Sequence, residues 1–128
     1  MSLDIRIALD AMGGDDAPDI VVAGASMARK RHPNLELIFI GDDKKIKPLI
    51  KKFKNLSDAK IIHTDDMVAP DARPAQALRH SKKTSMWLAV NEVASDNADA
   101  IISAGNTGAL MAISKFVLKT LSGINRPA

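Results

Sequence analysis

Short apolar runs alternate with segments of helical spacing along this chain, and that alternation limits the possible folds more than any other feature. The runs at residues 5–10, 35–40, 59–63 and 98–104 have the lengths of strands, and helical patterns follow the first, second and fourth directly. Strands joined by helices usually pair in parallel, with helices covering both faces of the sheet. The sequence therefore predicts an α/β fold, a three-layer α/β/α sandwich with a mainly parallel sheet.

The helical segments differ in how clearly they can be placed. The first is predicted over residues 19–31, with Val21, Ala25 and Ala28 inward. In the second, Pro48 interrupts the helical spacing, so a kink or a late start is expected. Two more helices are predicted between residues 73 and 93, with 81–84 as a break or a continuation. The last, over 109–121, is apolar almost all round, which predicts burial on several sides before Gly123 ends it.

Length and composition indicate one ordinary globular domain over residues 1–128. The chain is 46% hydrophobic and 26% charged, and it contains no cysteine, which excludes disulfides, zinc-thiolate sites and a thiol nucleophile. Its net charge of +3 is mild, and no aromatic residues interleave the basic segment at 44–54, so nucleic-acid binding is not predicted. The absence of a membrane-spanning run or signal sequence favours a soluble, cytoplasmic protein.

Two glycine-rich loops follow predicted strands, and in parallel sheets ligands bind outside the carboxyl ends of the strands. The second loop, residues 103–109, has the clearer rationale. Gly105 and Gly108 allow the backbone to approach an anion, and the next helix directs free N–H groups at it. The side chains of Ser103, Asn106 and Thr107 add donors. Phosphate or an acyl-transfer oxyanion would suit this loop, although the same pattern also serves as a tight turn.

The first loop, residues 10–15, contains Asp10, Gly13 and Gly14. Asp10 ends the first strand, where it is either a functional carboxylate or a cap for the backbone of its own loop. Asp15 and Asp16 are interpreted as turn or helix-cap residues. No spacing of histidine and carboxylate residues resembles a metal site, so neither a metal nor a cofactor is predicted.

A third segment, residues 79–85, is rich in cations and hydroxyl groups. Arg79, Lys82 and Ser85 could hold a phosphate, with arginine making a bidentate contact, or the segment could be a solvated helix junction. His32 and His63 stand alone, and Trp87 is expected in the core. The lysines between 44 and 54 are interpreted as the solvated face of a helix, with docking of an acidic carrier protein as the alternative.

Several of these segments resemble one known family. The runs IALDAMGGD at 7–15, with Pro18, and SAGNTGALMA at 103–112 are similar to signatures of the PlsX family of phosphate acyltransferases. The residues RP at 73–74, ALR at 77–79, Lys82, SM at 85–86 and INRPA at 124–128 also fit. The resemblance implies a Rossmann-like fold similar to isopropylmalate dehydrogenase, and a reaction of acyl-acyl-carrier protein with inorganic phosphate that gives acyl phosphate for phospholipid synthesis.

The resemblance also implies partners and roles. Acyl carrier protein, a homodimer and peripheral membrane association are expected, and the chain is interpreted as the amino-terminal fragment of a longer enzyme. Phosphate would lie on the 105–108 loop, with Asn106 and Lys82 as catalytic residues. The residues expected to bind substrate or phosphate are Asp10, Gly13, Gly14, Arg79, Ser85, Ser103, Gly105, Thr107 and Gly108. Phosphotransacetylase-like or dehydrogenase-like activity on the same fold, and a non-catalytic carrier-protein docking module, are the alternatives.

Overall fold

A computed structural model describes residues 4–126, and its centre is a four-stranded sheet in the order β3-β2-β1-β4. All three strand pairs are parallel, which confirms the predicted sheet. Within residues 4–126 the elements are β1 (Ile5–Asp10), α1 (Asp19–Arg31), β2 (Leu35–Gly41), α2 (Asp43–Ile50), β3 (Lys60–His63), α3 (Pro74–His80), α4 (Ser85–Ala94), β4 (Ala100–Ile102) and α5 (Thr107–Val117), with a 3-10 turn at Lys54–Leu56.

Helices cover both faces of this sheet, as the sequence predicts. On one face, α1, α2 and the 3-10 turn pack over a core that includes Phe39, Ile46 and Leu56, all fully buried. On the other face, α4 packs against Ala8, Ile38 and Ile40 through Ala89. Helices α3 and α5 then pack against α4 around Met86 and Val90. The protein is therefore a three-layer α/β/α sandwich.

Helices α1 and α2 differ from the sequence-based expectations in which residues of α1 are buried and in where α2 begins. Helix α1 buries Val22, Ala25 and Ser26, whereas Val21 and Ala28 are only partly buried. Polar Ser26 can lie inward because its hydroxyl group donates to Asn55 Oδ1 at 2.8 Å. Helix α2 begins early rather than late, because the Asp42 side chain caps it by accepting from the Lys44 amide at 3.0 Å, and Pro48 lies inside it.

The prediction that α5 is buried on several sides is wrong. Only Ala109 and Ile113 are buried, and Met111 and Phe116 are exposed, because α3 and α4 contact a single face of this helix. The helix also ends earlier than predicted, at Val117 instead of near Gly123. The predicted strand at 98–104 is likewise shorter and spans Ala100–Ile102. Pro127 and Ala128, which carry the end of the last matching motif, lie outside the described residues.

No helix within residues 4–126 combines the length and the apolar character that crossing a membrane requires.

Candidate anion site at the sheet switch point

The loops that follow β1 and β4 meet where the strand order reverses. The chain adds β2 and β3 on one side of β1 and then returns to place β4 on the other side. Such a reversal opens a crevice at the carboxyl ends of the two diverging strands, which is where open parallel sheets bind ligands. The topology thus brings the two glycine-rich loops together, as the sequence predicts.

A cavity of about 390 Å³ occupies this crevice, which is within the range of about 300–1,000 Å³ found for small-molecule sites. The two glycine loops, the N-termini of α4 and α5, and the 67–70 loop form its walls. Its lining residues are Asp10, Met12, Gly13, Gly14, Asp15, Met67, Val68, Pro70, Ser85, Met86, Ala104, Gly105, Asn106, Thr107 and Gly108.

Asp10 holds three parts of this wall together from a buried position at the end of β1. Its Oδ1 accepts from Ser85 Oγ at 2.6 Å and from the Met12 amide at 3.2 Å, and its Oδ2 accepts from Ser103 Oγ at 2.7 Å. The Ser103 oxygen in turn accepts from the Gly105 amide at 3.1 Å. Because each serine hydroxyl has one proton and gives it to Asp10, neither is free to donate to an anion in this arrangement.

Two glycines are required by this close packing. A Cβ atom on Gly13 would lie 2.7 Å from Asp10 Oδ2 and 2.9 Å from both the Gly105 nitrogen and Ser103 Oγ, so any larger residue must push the two loops apart. Gly14 has a φ of +107°, which a side chain would strain. The first loop is therefore shaped to lie directly against the second.

Asn106 caps α5 and also fixes a neighbouring loop. Its Oδ1 accepts from the Ala109 amide at 3.1 Å, while its Nδ2 lies 3.3, 3.2 and 2.8 Å from the carbonyl oxygens of Ala69, Pro70 and Ala72. Both ends of the amide are thus engaged in holding the wall of the cavity. The Asn106 side chain thus joins the first turn of α5 to the 69–72 loop.

The N-termini of two helices supply the positive character of the cavity. Asn106 takes the amides of Ala109 and Leu110, so those of Thr107 and Gly108 have no acceptor within residues 4–126. Thr84 caps α4 in the same way, accepting from the Trp87 amide at 3.3 Å, and Ser85 and Met86 from its first turn line the cavity. Free amides and two helix dipoles favour an anionic ligand here.

Charged side chains add little to that preference. The lining residues include no lysine or arginine, and the carboxylates of Asp10 and Asp15 oppose a bound anion. Lys82 is exposed and does not line the cavity. Arg79 lines a neighbouring cavity instead. Ser103 lies behind the residues that line the first cavity, where it donates to Asp10. Of the eleven residues named from the sequence, eight line the cavity: Asp10, Gly13, Gly14, Ser85, Gly105, Asn106, Thr107 and Gly108.

A second cavity, of about 370 Å³, adjoins the first and was not foreseen from the sequence. Both cavities have Met67 and Val68 in their walls. Ser81 is among the residues around the second cavity, and its hydroxyl oxygen is the one buried side-chain nitrogen or oxygen atom of residues 4–126 without a hydrogen-bond partner. An unsatisfied buried hydroxyl costs about 1–3 kcal/mol, which makes this serine unusual.

A cluster of Asp42, Asp43 and His63 also lies outside the sequence-based expectations. His63 does not stand alone as predicted, because its Nδ1 lies 3.0 Å from Asp43 Oδ1. The ligand atoms of the three residues all lie within 4.8 Å of one another, close enough for a metal ion. The two aspartates follow β2 and His63 ends β3, so only strand pairing brings them together.

Trp87 is in the core as predicted, with its ring 5.9 Å from that of Phe116.

The fold and the cavity together define a class: a parallel α/β protein with a glycine-lined crevice at the switch point of its sheet. The family model described as "Fatty acid synthesis protein" matches residues 5–128. The chain therefore belongs to that family.

Individual relatives agree with this assignment. The chain is 56% identical to the "Phosphate acyltransferase" of Rhodospirillum centenum over 129 residues, which is 100% of this chain and 36% of the relative. It is 50% identical to the protein of that name from Paramagnetospirillum magneticum and 49% to the one from Azorhizobium caulinodans, again over 100% of the chain and 37% of each relative. The resemblance to phosphate acyltransferases is thus confirmed, and the chain spans little more than a third of these relatives.

Proposed function

We propose that this chain contributes the phosphate site of an enzyme that converts acyl-acyl-carrier protein and inorganic phosphate to acyl phosphate for phospholipid synthesis. The observation that carries the proposal is the cavity at the switch point, where two helix N-termini and the unclaimed amides of Thr107 and Gly108 meet. Phosphate is one of the anions that helix N-termini bind through their backbone N–H groups. Relatives named for phosphate acyl transfer support the choice of reaction.

The cavity would act mainly by placing the nucleophile. A phosphate oxygen attacks the thioester carbonyl, the new C–O bond forms as the C–S bond breaks, and the departing sulfur leaves as a thiol after taking up a proton. Holding phosphate against the carbonyl removes much of the entropic barrier, and the amides around it stabilise charge that develops on the carbonyl oxygen. No covalent acyl-enzyme is needed on this route.

The proposed residues divide by how they act. The backbone amides of Thr107 and Gly108 contact the phosphate and Gly105 lines the space beside them, while Asp10, Ser85 and Ser103 keep the walls in register. Asn106 acts by fixing α5 against the 69–72 loop. A role for Lys82 requires its side chain to reach the cavity from an exposed position, and it stays a prediction.

The acidic Asp10 and Asp15 and the lack of a lining cation indicate that a further positive group completes the site. We propose that it lies in the part of the longer enzyme that this chain does not span, since the relatives are nearly three times as long. The chain is then the amino-terminal part of that enzyme and a single domain within it. A homodimer, a cytoplasmic location and peripheral contact with the membrane belong to the same proposal.

The experiment compares Gly13→Ala with Gly24→Ala as a matched control. At Gly13 the added methyl group meets three polar atoms at 2.7–2.9 Å, whereas at Gly24 nothing lies within 4 Å. Phosphate affinity is measured by isothermal titration, and acyl phosphate formation from long-chain acyl-acyl-carrier protein by mass spectrometry. Gly13→Ala is expected to lose at least tenfold in both, while Gly24→Ala stays like the unmodified protein.

Equal phosphate affinity in the two variants would show that the crevice is not the phosphate site. Product from coenzyme A thioesters but not from acyl-acyl-carrier protein would favour a phosphotransacetylase-like enzyme. Reduction of NAD with a hydroxy acid would favour a dehydrogenase-like one. Salt-sensitive binding of carrier protein without any turnover would favour a docking module.

A further inference from the structure

The first turn of α4 forms part of the cavity wall and lies against both glycine loops. Ser85 and Met86 line the cavity. The Ser85 hydroxyl group donates to Asp10 Oδ1 at 2.6 Å, and a Cβ atom added to Gly105 would lie 3.1 Å from Met86 Cε. The position of this turn therefore affects any anion that is bound between the two loops.

One backbone amide of this turn is available to a ligand. The first amides of a helix have no partner inside the helix. The Ser85 amide donates to the Asp66 carbonyl oxygen at 3.0 Å, and the Trp87 amide donates to Thr84 Oγ1 at 3.3 Å. The Met86 amide lies between these two and has no acceptor among residues 4–126. Because the Met86 side chain is buried, the N–H is the polar group that this residue can offer.

Thr64 connects the sheet to the segments that precede this turn. It follows β3 and is only 9% exposed. Its amide donates to the Gly41 carbonyl oxygen at 3.0 Å, next to the pairing of β2 with β3. Its Oγ1 donates to the Lys83 carbonyl oxygen at 2.6 Å and accepts from the Asp66 amide at 3.2 Å. The hydroxyl group thus uses its proton and a lone pair for two different segments.

These two segments lead to the beginning of α4 by separate routes. Lys83 directly precedes Thr84, the N-cap of α4, and the carbonyl oxygen of Asp66 accepts from the Ser85 amide. Both routes start at the Thr64 hydroxyl group, so its removal would loosen both. Further along α4, fully buried side chains such as Val90 hold the helix in place. The effect should therefore be confined to the first turn.

We propose that Thr64 is a positioning residue of the phosphate site, and that it holds the Met86 amide where this amide binds phosphate together with those of Thr107 and Gly108. The proposal rests on the function proposed above, in which inorganic phosphate occupies this cavity. Thr64 itself does not line the cavity. It acts through the first turn of α4, whose position it ties to the edge of the sheet.

The expected consequence concerns phosphate affinity more than turnover. Without the hydroxyl group, the first turn of α4 occupies its position in only a fraction of the molecules, and the apparent affinity falls by that fraction. The loss of neutral hydrogen bonds commonly changes such an equilibrium about fivefold. Because saturating phosphate selects the molecules in which the turn is in place, kcat should change little while the KM for phosphate rises.

The test compares Thr64→Val with Thr64→Ser in the complete enzyme. Valine keeps the branched shape of threonine but removes the hydroxyl group, whereas serine keeps that group. Thr64→Val is expected to raise the KM for phosphate about fivefold, to leave kcat close to that of the unmodified enzyme, and to weaken phosphate binding in isothermal titration by the same factor. Thr64→Ser should restore normal values. A serine variant as impaired as the valine variant would contradict the proposal.

Ser26→Ala serves as the matched control on the opposite face of the sheet. Ser26 is also buried, and its hydroxyl group donates to Asn55 Oδ1 at 2.8 Å. Both Ser26→Ala and Thr64→Val remove a buried hydrogen bond, so both should lower the unfolding temperature. Only Thr64→Val should raise the KM for phosphate. A similar rise in both variants would mean that lost stability, and not the position of α4, weakens binding, and would overturn the proposal.

Residue-resolved hydrogen exchange of the unmodified enzyme gives a measurement that does not depend on the folding of a variant. Phosphate is expected to slow exchange of the Met86 amide, because that N–H gains an acceptor. The Ala28 amide, inside α1 on the opposite face, should exchange at the same rate with and without phosphate. Unchanged exchange at Met86 in saturating phosphate would overturn the proposal.

The failure of this inference differs from a failure of the proposed function. Normal phosphate affinity of Thr64→Val, together with a loss in Gly13→Ala, would overturn the role of Thr64 and leave the phosphate site where it is proposed. Equal phosphate affinity of Gly13→Ala and Gly24→Ala would instead overturn the proposed function and, with it, the role of Thr64.

Discussion

The two faces of the sheet differ in how completely side chains fill the space beneath the helices. The face under α1 and α2 is filled by fully buried apolar side chains, among them Phe39, Ile46 and Leu56. The face under α4 carries both cavities, the unpartnered hydroxyl of Ser81 and a helix, α5, whose Phe116 is 62% exposed. The first face is closely packed with apolar side chains, whereas the second holds the two cavities described above.

Hydrogen bonds and ion pairs between side chains also differ between the two faces of the sheet. On the first face they join helices to one another: Asn55 Nδ2 donates to the Ser26 carbonyl oxygen at 2.9 Å, and Arg29 binds both carboxylate oxygens of Asp58 at 2.6 and 2.8 Å. On the second face, Asp10 gathers Ser85 and Ser103 around a crevice. Polar contacts on the first face therefore join α1 to the segment that follows α2, whereas those on the second face join a buried carboxylate to the loops around the crevice.

The largest effect is expected from a pair of phenylalanine substitutions that compare the faces directly. Phe39→Ala removes a fully buried ring and should lower the free energy of unfolding by about 3–5 kcal/mol. Phe116→Ala removes a ring that is mostly exposed and touches Trp87, so a loss of about 1 kcal/mol or less is expected. Urea unfolding measures both, and similar losses would show that the second face is packed as tightly as the first.

Asp10→Asn tests whether the network on the second face also stabilises the fold. An amide nitrogen cannot accept from either serine, so one of these buried hydroxyl groups loses its acceptor. We expect a loss of about 2–3 kcal/mol in urea unfolding, because hydrogen bonds to a charged group are among the stronger ones. Phosphate affinity should fall as well. A variant with normal stability but no phosphate affinity would assign Asp10 to the ligand alone.

Gly24→Ala sharpens the comparison from the side of the scaffold. Gly24 lies within α1, where a methyl group would meet nothing within 4 Å, and alanine has the higher helix propensity. The substitution should raise the free energy of unfolding by about 0.5–1 kcal/mol. A decrease, seen in the same urea titration, would mean that α1 is more closely surrounded than this chain alone indicates.

The smallest effect concerns the ion pair of Arg29 with Asp58. The hydrogen bonds from Arg29 lower the pKa of Asp58 below its usual value of 3.8. A carboxyl group with a lowered folded pKa stabilises the protein above the unfolded pKa and loses that contribution as the pH falls through the folded one. Asp58 is 67% exposed on its side chain, so Asp58→Asn should cost about 1 kcal/mol or less at pH 7.

The cost of Asp58→Asn should also shrink as the pH falls from about 3.8 through the lower pKa of the folded state, where the paired carboxyl group itself becomes protonated. Urea unfolding at several pH values follows this change, with Lys30→Ala as a surface control. A cost that is the same at pH 7 and below the pKa would show that Asp58 contributes through something other than its charge.

The sequence by itself determined the strands, the parallel sheet and the meeting of the two glycine loops. β1 and α1 begin and end where the apolar periodicity and the turn residues predict, because both depend on neighbours in the chain. The loops could be brought together without coordinates, since the carboxyl ends of parallel strands share one edge of the sheet. Eight of the predicted site residues accordingly line one cavity.

Only the tertiary structure decided how those residues are used. Asp10 binds Ser85 from 75 positions away, Asn106 holds carbonyl oxygens 34–37 positions earlier, and Arg79 lies in a cavity of its own. The apolar pattern of α5 predicted burial that its single packed face does not provide. A sequence pattern records which groups a residue can offer, but the partner it meets depends on contacts between distant segments, and these exist only once the chain has folded.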